Sequence, residues 1–373
     1  MQTMYLKHLS LVNFKNIAQA DLDLCPKINC FIGENGVGKT NLLDAIYYLS
    51  FCRSFFNASD SLSIKHNEGF FLIQGIYDRS GSEEKISCGL KQKKKKQVKR
   101  NQKEYQKLSE HIGFLPVVMV SPADSRLIID GSDERRRYID GVISQYDRVY
   151  LNALIHYNKV LVQRNALLKQ IKERRIKDVS LIEVFNEQLA IDAELIYSKR
   201  LDFIDKLTPV FQHYHDIISI GREKVSIVYE SNMNDGDYIS QLKESFDKDI
   251  ILGYTTKGIH KDDLVPYIGE YPIKKIGSQG QQKTFLIALK FAQFNFIKSI
   301  NGVTPILLLD DIFDKLDSLR VEEIVKLVGD DTFGQIFITD TNRDHLVSIL
   351  ERLDNTNIIY KVNHDGDIDK ITG

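Results

Sequence analysis

The stretch Gly33-Glu34-Asn35-Gly36-Val37-Gly38-Lys39-Thr40 matches the phosphate-binding pattern G-x-x-x-x-G-K-[ST] without a gap. It follows a short apolar run, Ile28–Ile32, and precedes residues 41–51, where apolar side chains recur at helical spacing. A strand, a glycine-rich loop and a helix in this order let backbone N–H groups and the helix N-terminus surround a phosphate. We therefore expect ATP to contact Gly33, Glu34, Asn35, Gly36, Val37, Gly38, Lys39, Thr40 and Asn41.

A phosphate-binding loop of this kind works with a metal ion and a second carboxylate. Lys39 is expected to reach the β- and γ-phosphate oxygens, and the Thr40 hydroxyl to ligate Mg²⁺. The apolar run 306–309 ends in Asp310 and Asp311, and we assign Asp310 to the Mg²⁺ site. Two adjacent carboxylates repel unless a cation or a water network uses them. Asp311 is therefore predicted to orient the attacking water, which makes Lys39 and Asp311 the candidate catalytic residues.

A third motif, Gly277-Ser278-Gln279-Gly280-Gln281-Gln282-Lys283, opens a predicted helix before the Asp310 strand. It resembles the Ser-x-Gly-Gln signature of ABC-type ATPases, although an ordinary Ser N-cap would leave the same trace. In that class the motif covers the γ-phosphate bound to the opposite subunit. The resemblance assigns this role in trans to Ser278, Gly280, Gln281 and Gln282, and it predicts an ATP-dependent homodimer.

Composition restricts the class of protein. The chain has 373 residues, of which 43% are hydrophobic and 27% charged, and at roughly 150 residues per domain it should form two or three units. No apolar run approaches the roughly 18 residues of a membrane span, and the first residues lack the features of a secretory signal. We expect a cytoplasmic protein. Its four cysteines lack metal-binding spacing and are expected to be packing thiols.

Charge alone does not indicate nucleic-acid binding, because 50 basic and 51 acidic residues leave a net charge of −1. Binding would need a local patch, and residues 91–103 contain eight basic residues and no acidic one. The alternative for this run is a solvated hairpin tip. The DNA-binding candidates are Lys93, Lys94, Lys95 and Lys96, with a second cluster at Arg135 and Arg136.

The hydrophobic pattern predicts an α/β fold with a helical insertion. Strands are expected near residues 9–14 and 28–32, antiparallel strands over 70–90, and further strands at 225–229, 251–255, 264–276, 305–309 and 336–338. Between about 135 and 208 two antiparallel helices are expected, with their turn at 172–178 and the second helix ending before Pro209. The first helix is expected to bury an apolar stripe that includes Ile155, Val162 and Leu168. A last helix is expected over about 281–300.

Five further segments resemble those of the RecF family, bacterial recombination and gap-repair ATPases related to the SMC proteins. These segments are Leu11–Asn16, Val120–Asp124, Asp130–Asp140, Gln163–Lys169 and Gly258–Asp263. With the three ATPase motifs they extend the resemblance over nearly the whole chain. The chain departs from the family pattern at Ala123, Ile259, Lys261 and Lys315.

The resemblance implies an ABC-type P-loop ATPase head, lobe I, and a second lobe with a helical antiparallel arm. We assign residues 1–121 and 295–373 to lobe I and residues 122–294, with the signature motif, to lobe II. Asp317 falls in the D-loop, which contacts the partner subunit. Thr339–Thr341 falls at the switch position, where transporter ATPases carry a histidine. His260, beside two acids, is more often structural than catalytic. No glutamine fits the Q-loop well, and residues 121–124 are the expected hinge between the lobes.

The function implied is an ATP-driven switch in recombinational repair and replication, acting in the responses to DNA damage. ATP would close two copies on double-stranded or gapped DNA, and slow, DNA-stimulated hydrolysis would release them and help load recombinase. RecR and RecO, and indirectly RecA, are the implied partners. A membrane-transporter ATPase subunit is the main alternative, but the switch histidine is missing and the lysine run has no transport role. A small-molecule kinase would leave the signature motif unexplained.

Overall fold

We analysed a computed structural model that describes residues 2–173, 179–221, 223–313, 316–330, 332–341, 347, 350, 356–364 and 366–372. The chain divides into two compact units. The first comprises residues 1–125, 213–222 and 278–373, and the second comprises residues 126–212 and 223–277. This division keeps the signature motif with the ATPase motifs. The functional lobe boundaries at 121/122 and 294/295 stay a prediction.

The first unit contains most of the strands. They are β1 (Met4–Phe14), β2 (Ile17–Asp23), β3 (Ile28–Ile32), β4 (Phe70–Arg79), β5 (Ser82–Lys91), β6 (Gln97–Arg100), β7 (Lys103–Glu104), β8 (Val117–Val120), and, after the second unit's β9 (Val225–Glu230), β10 (Asp263–Ile268) and β11 (Tyr271–Pro272), β12 (Ile306–Asp310), β13 (Ile336–Asp340), β14 (Asn357–Val362) and β15 (Ile368–Thr372).

The helices are α1 (Lys39–Phe51), α2 (Arg126–Ile129), α3 (Ser132–Ile143), α4 (Arg148–Lys172), α5 (Ser180–Ser219), α6 (Tyr238–Glu244), α7 (Phe246–Leu252), α8 (Ile273–Ile276), α9 (Gln279–Asn301) and α10 (Ser318–Gly329). Short 3₁₀ turns occupy Asp60–Ser63, Leu108–Glu110, Pro122–Ser125, Asn232–Asp235 and Ile259–Lys261. The predicted helix at 281–300 is confirmed by α9.

A six-stranded sheet in the order β15-β14-β3-β13-β12-β8 supports the ATPase motifs. Strands β8, β12, β13, β3 and β14 are parallel, and β15 pairs antiparallel with β14. Every residue of β3, β12 and β13 is buried, as expected for parallel strands covered on both faces. The glycine loop follows β3, and Asp311 and Thr341 follow β12 and β13, so these segments meet at one sheet edge.

A second six-stranded sheet, in the order β2-β1-β4-β5-β6-β7, is antiparallel. It confirms the antiparallel strands expected over residues 70–90. Two strands were expected before the glycine loop, and the structure has a third. Residues 17–23 form β2, which pairs with β1. Helix α1 packs against strands of both sheets and is buried on nearly all sides. A helix with apolar residues all round is typical of such a central position.

The second unit contains a sheet in the order β11-β10-β9 and the helical arm, which is formed by α4 and by α5 up to residue 212. The arm confirms the two long helices expected there, and the expected turn falls largely outside the described residues. The expected helix end before Pro209 is wrong, because α5 continues to Ser219. Proline removes one backbone hydrogen bond but keeps a helical φ, and the apolar spacing continues through the buried Phe211, Tyr214 and Ile218.

Two further expectations for this unit are corrected. Residues 251–255 do not form the expected strand. The first two of them end helix α7, whose first turn carries Asp247 and Asp249. The apolar stripe expected on α4 included Ile155 and Val162, yet both are exposed. The buried residues of α4 are Tyr150, Tyr157, Val160, Arg164, Leu167 and Leu168, so only part of the expected stripe is buried. The spacing of apolar residues predicted the buried face of α4 only in part, because the largest buried side chain there is Arg164, which is charged and paired with Asp249.

Candidate nucleotide-binding site

The glycine loop has the backbone shape that its sequence predicts. Gly36 and Gly38 have φ values of 85° and 116°, which side chains other than glycine rarely adopt. Lys39 is only 4% exposed, and its Nζ donates to the carbonyl oxygens of Gly33 and Glu34, each at 2.9 Å. The ammonium group therefore lies inside the loop, at the start of α1. Positive charge and backbone N–H groups converge there, as phosphate binding requires.

Asn16, in the turn between β1 and β2, holds the back of this loop. Its Nδ2 donates to Val37 O at 2.8 Å, and its Oδ1 accepts from Asn41 Nδ2 at 2.7 Å. A Cβ at Gly38 would lie 2.7 Å from both of these Asn16 atoms. Sequence reasoning gave Asn16 no role, although it ends the first segment that resembles the RecF family.

Asp310 is 3% exposed and lies among three hydroxyl groups. Its Oδ1 accepts from Thr40 Oγ1 at 2.8 Å and from Thr339 Oγ1 at 2.9 Å, and its Oδ2 accepts from Ser121 Oγ at 3.2 Å. The structure thus brings Thr40 and Asp310 together as the sequence predicted. Thr339 and Ser121 complete the surroundings of the carboxylate.

Asp311 follows at the end of β12 with a φ of 45°. Its backbone N–H donates to Thr339 Oγ1 at 3.0 Å, and the same hydroxyl lies 3.4 Å from Asp311 Oδ1. Partial burial and the neighbouring Asp310 charge raise the pKa of Asp311 above its usual value, and Lys39 opposes the shift. The role of Asp311 in orienting water stays a prediction.

The segment predicted as a hinge connects Asp310 to helix α9. The Ser121 backbone N–H donates to Asp124 Oδ2 at 2.8 Å, and Asp124 Oδ1 lies 2.7 Å from Lys290 Nζ on α9. Both side chains of this ion pair are about 5% exposed or less. Burial raises the pKa of Asp124, and Lys290 opposes that shift. Any role of this segment as a hinge stays a prediction.

The signature motif forms the first turn of α9. Ser278 Oγ accepts from Gln281 N at 3.2 Å, and Gln281 Oε1 accepts from Ser278 N at 2.8 Å, which is a capping box. The N-cap considered from the sequence is therefore present, and Ser278 and Gln279 are also exposed. A Cβ at Gly280 would lie 2.8 Å from Arg320 Nη1. Arg320 belongs to α10, whose N-cap is the D-loop residue Asp317.

A family model described as the RecF/RecN/SMC N terminal domain matches residues 5–364. The chain is 56% identical to the DNA replication and repair protein RecF of Phocaeicola vulgatus, over 98% of each chain. It is 54% identical to RecF of Bacteroides fragilis, over 96% of each chain. The chain belongs to the RecF family.

Solved structures agree with this assignment. A recombination mediator protein RecF with ATP in the RecFOR pathway superposes with a TM-score of 0.89 at 32% identity, covering 99% of this chain and 98% of the other. An Smc head domain from Pyrococcus furiosus superposes with a TM-score of 0.57 at 18% identity, covering 99% and 96%, and this likeness concerns the fold alone. Both confirm the expected α/β head of the ABC type.

The RecF-like segments of the second unit meet at the base of the arm. Arg200 of α5, 1% exposed, pairs with Asp140 and Asp262 at 2.8 Å each. Arg164 pairs with Asp249 at 2.8 Å, and both side chains are fully buried. A buried ion pair holds its partners in place but adds little net stability. Three of the five resembling segments therefore help to build the joint between arm and sheet.

His260 belongs to this joint. Its Nδ1 lies 2.8 Å from Tyr157 Oη, and its Nε2 lies 3.0 Å from Thr255 O. Burial lowers the pKa of His260 to about 4. A neutral ring accepts from the tyrosine and donates to the carbonyl, which agrees with the structural interpretation considered from the sequence. The departures at Ile259 and Lys261 lie in the 3₁₀ turn around it, and Lys315 lies outside the described residues.

Within the basic run of residues 91–103, Lys93–Lys96 lie in the turn between β5 and β6. Lys93, Lys94 and Lys95 are exposed. Lys96 differs, because its side chain is 12% exposed and its Nζ lies 2.6 Å from Asp60 Oδ2. DNA contacts by these residues stay a prediction.

The second predicted DNA cluster is largely paired. Arg135 donates to Asp263 at 2.6 and 2.8 Å, and Arg136 donates to the backbone of Asp262 and to Asp133. Both side chains are 13% exposed. Contact of these two arginines with DNA stays a prediction, and their internal pairs leave fewer N–H donors for phosphates.

Within the described ranges, no group of three or more His, Cys, Asp or Glu side chains could hold a metal ion. None of the helices in that part of the chain combines the length and apolar character needed to cross a membrane. The four cysteines are free and buried, as expected for packing thiols.

Proposed function

We propose that this chain is an ATP-dependent DNA-binding protein of recombinational repair and replication, in which ATP closes two copies head to head on duplex DNA. The observation that carries the proposal is that the first unit contains two different parts of a nucleotide site, called half-sites here. Lys39, Thr40, Asp310 and Asp311 form the nucleotide half, and the exposed turn at Ser278 forms the other. A half-site that faces solvent needs a second molecule to complete it.

The nucleotide half fits ATP with Mg²⁺. A RecF with ATP bound shares the fold along nearly the whole chain. Thr40 and Asp310 offer a hydroxyl and a carboxylate, the hard oxygen donors that Mg²⁺ binds beside phosphates. A Mg²⁺ site of this kind takes further ligands from phosphate and water, so no cluster of protein acids is needed. Bound Mg²⁺ would neutralise charge developing on the phosphates.

Hydrolysis is proposed to be slow and tied to association. Lys39 would hold the phosphates at the loop, and Asp311, which directly follows Asp310 at the carboxyl end of β12, would orient water. The signature residues Ser278, Gly280, Gln281 and Gln282 would cover the γ-phosphate of the partner subunit, with Asp317 at the facing D-loop. Positioning supplies most of the catalysis in phosphoryl transfer. A weak ATPase suits a timing role better than a metabolic one.

DNA contact is proposed for the hairpin tip first. Lys93, Lys94 and Lys95 present three exposed ammonium groups on a turn, suited to phosphates rather than base edges. Such contacts are independent of sequence and sensitive to salt. They fit double-stranded and gapped DNA equally well. Any preference for one of these DNA structures must therefore come from other contacts of the dimer.

The cellular setting follows from the family. Relatives are named DNA replication and repair proteins, and a relative's structure is described within a RecFOR pathway. We propose RecR and RecO as direct partners, RecA as an indirect one, and the cytoplasm as the location. Loading of recombinase at gaps during the response to DNA damage is the corresponding activity.

Sedimentation velocity tests the central claim. Wild type should change from monomer to dimer with ATP and Mg²⁺, and further with a short DNA duplex. Lys39→Ala should stay monomeric, because the loop loses its only cation for the phosphates among the described residues 33–40. Lys206→Ala, which removes an exposed lysine on the arm, is the matched control and should behave as wild type. A wild-type chain that stays monomeric at all ATP and protein concentrations would refute the proposal.

A further inference from the structure

Arg320 connects two segments that the ATPase motifs treat separately. Its guanidinium lies over the signature turn, since a Cβ at Gly280 would be 2.8 Å from Nη1. Its Nη1 also lies 3.3 Å from Asp317 Oδ2, and its backbone N–H donates to Asp317 Oδ1 at 3.0 Å. The D-loop carboxylate therefore binds Arg320 twice, and Arg320 reaches the signature from there.

The charge of Arg320 lies where the dipole of helix α9 does not favour it. The N-terminus of α9 carries partial positive charge, so a cation beside its first turn is repelled rather than attracted. The pairing with Asp317 offsets part of this repulsion, but the Asp317 carboxylate is exposed, and ion pairs that are open to solvent contribute little. A guanidinium held against a helix N-terminus in this way is stabilised when negative charge arrives nearby.

We propose that Arg320 is a positioning residue that couples the D-loop to the signature turn within one subunit and prepares both for the partner's triphosphate. The inference rests on the proposed function, because the signature acts on ATP bound to a second copy. Movement of Asp317 at the subunit contact would shift Arg320, and Arg320 would shift Gly280. The side chain is 19% exposed, so it can follow such a movement without disrupting a core.

This arrangement also gives a local reason for glycine at position 280. Among described residues outside its own helix and chain neighbours, the atoms within 4 Å of a Cβ there belong to Arg320 alone. A methyl group at that position would displace the guanidinium from the turn. The glycine of the signature therefore makes room for a side chain of its own subunit, besides any need of the partner's nucleotide.

The test compares ATP binding with ATP-driven dimerisation. Arg320→Ala should leave affinity for a fluorescent ATP analogue unchanged under dilute, monomeric conditions. It should raise the dimer dissociation constant in ATP at least about tenfold, as expected for loss of one well-placed charged contact. Arg320→Lys should recover part of this loss, because it keeps the charge but not the planar fork. Lys326→Ala, which removes an exposed cation from the same helix, should match wild type in both assays.

A pair of variants separates positioning from charge alone. Asp317→Asn keeps a good N-cap but removes the ion pair. If Arg320 acts through Asp317, this change should weaken dimerisation, and adding it to Arg320→Ala should weaken it little further. Equal dimerisation of wild type and Arg320→Ala would overturn the inference while leaving the proposed function intact. Failure of wild type to dimerise would overturn both, and fully additive effects would overturn the coupling.

Discussion

Replacing Gly38 by alanine should damage the nucleotide site more than the same change at Gly36. Both glycines have positive φ, at 116° and 85°, so alanine strains the backbone at each by about 1–2 kcal/mol. A Cβ at Gly36 would meet nothing within 4 Å among the described residues. At Gly38 it would lie 2.7 Å from both polar side-chain atoms of Asn16 and would displace the bonds to Val37 and Asn41.

The two hydrogen bonds of Asn16 contribute about 1 kcal/mol each. Gly36→Ala should therefore weaken ATP binding about 5- to 30-fold, and Gly38→Ala about 100- to 1,000-fold, since about 1.4 kcal/mol is tenfold. Titration with a fluorescent ATP analogue measures both, and urea midpoints verify that the variants fold. Asn16→Ala completes the cycle: it should cost about 2 kcal/mol alone and almost nothing in the Gly38→Ala background. Equal losses for the two glycines, or additive losses with Asn16→Ala, would show that Asn16 does not hold the loop.

Four other changes test separate parts of the protein. Asp311→Asn should permit ATP-driven dimerisation, and it should reduce the rate of hydrolysis about 10²- to 10⁴-fold, the usual contribution of a positioned base. Sedimentation measures the dimerisation and phosphate release measures the hydrolysis. A variant that stays monomeric with ATP contradicts the assignment. Joint replacement of Lys93, Lys94 and Lys95 by alanine should reduce the salt slope of DNA binding by up to about 3, at about 0.9 per phosphate contact, whereas Lys96→Ala should lower stability, because it breaks a part-buried pair; an unchanged slope excludes the tip. His260 binds protons only below its lowered pKa of about 4, against about 6.5 when unfolded. The difference between these two pKa values adds to the free energy of unfolding above pH 6.5. This contribution is lost as the pH falls, by about 2 kcal/mol between pH 7 and 5. His260→Gln should flatten that dependence in urea titrations, and an unchanged pH dependence would contradict the assigned burial.

Sequence alone predicted the parts of this protein that depend on local geometry. The glycine loop needs positive φ at Gly36 and Gly38, and glycine is the residue that supplies it, so the motif and its shape go together. The run ending in Asp310 is apolar because β12 is buried on both faces. The capping box at Ser278 is likewise a bond between neighbours in sequence.

Other predictions were wrong where packing overrode a local rule. A proline often ends a helix. Helix α5 continues through Pro209, because its apolar face remains buried beyond the proline. Arg164 appears in no count of apolar residues, yet it is fully buried, because Asp249 and Asn186 satisfy most of its polar atoms. A pattern based on hydrophobicity cannot anticipate a charged residue that is buried with its partner.

The sequence by itself therefore determined the class of this protein, its glycine loop, the strand that ends in Asp310 and the capped first turn of α9, because each rests on residues adjacent in the chain. Only the tertiary structure placed Asn16 behind the loop, Ser121 and Thr339 around Asp310, and Arg320 between Asp317 and Gly280. These side chains carry no motif of their own. Their partners lie far away in sequence, and hydrogen bonds and ion pairs of a few ångströms form only after the strands and helices have packed.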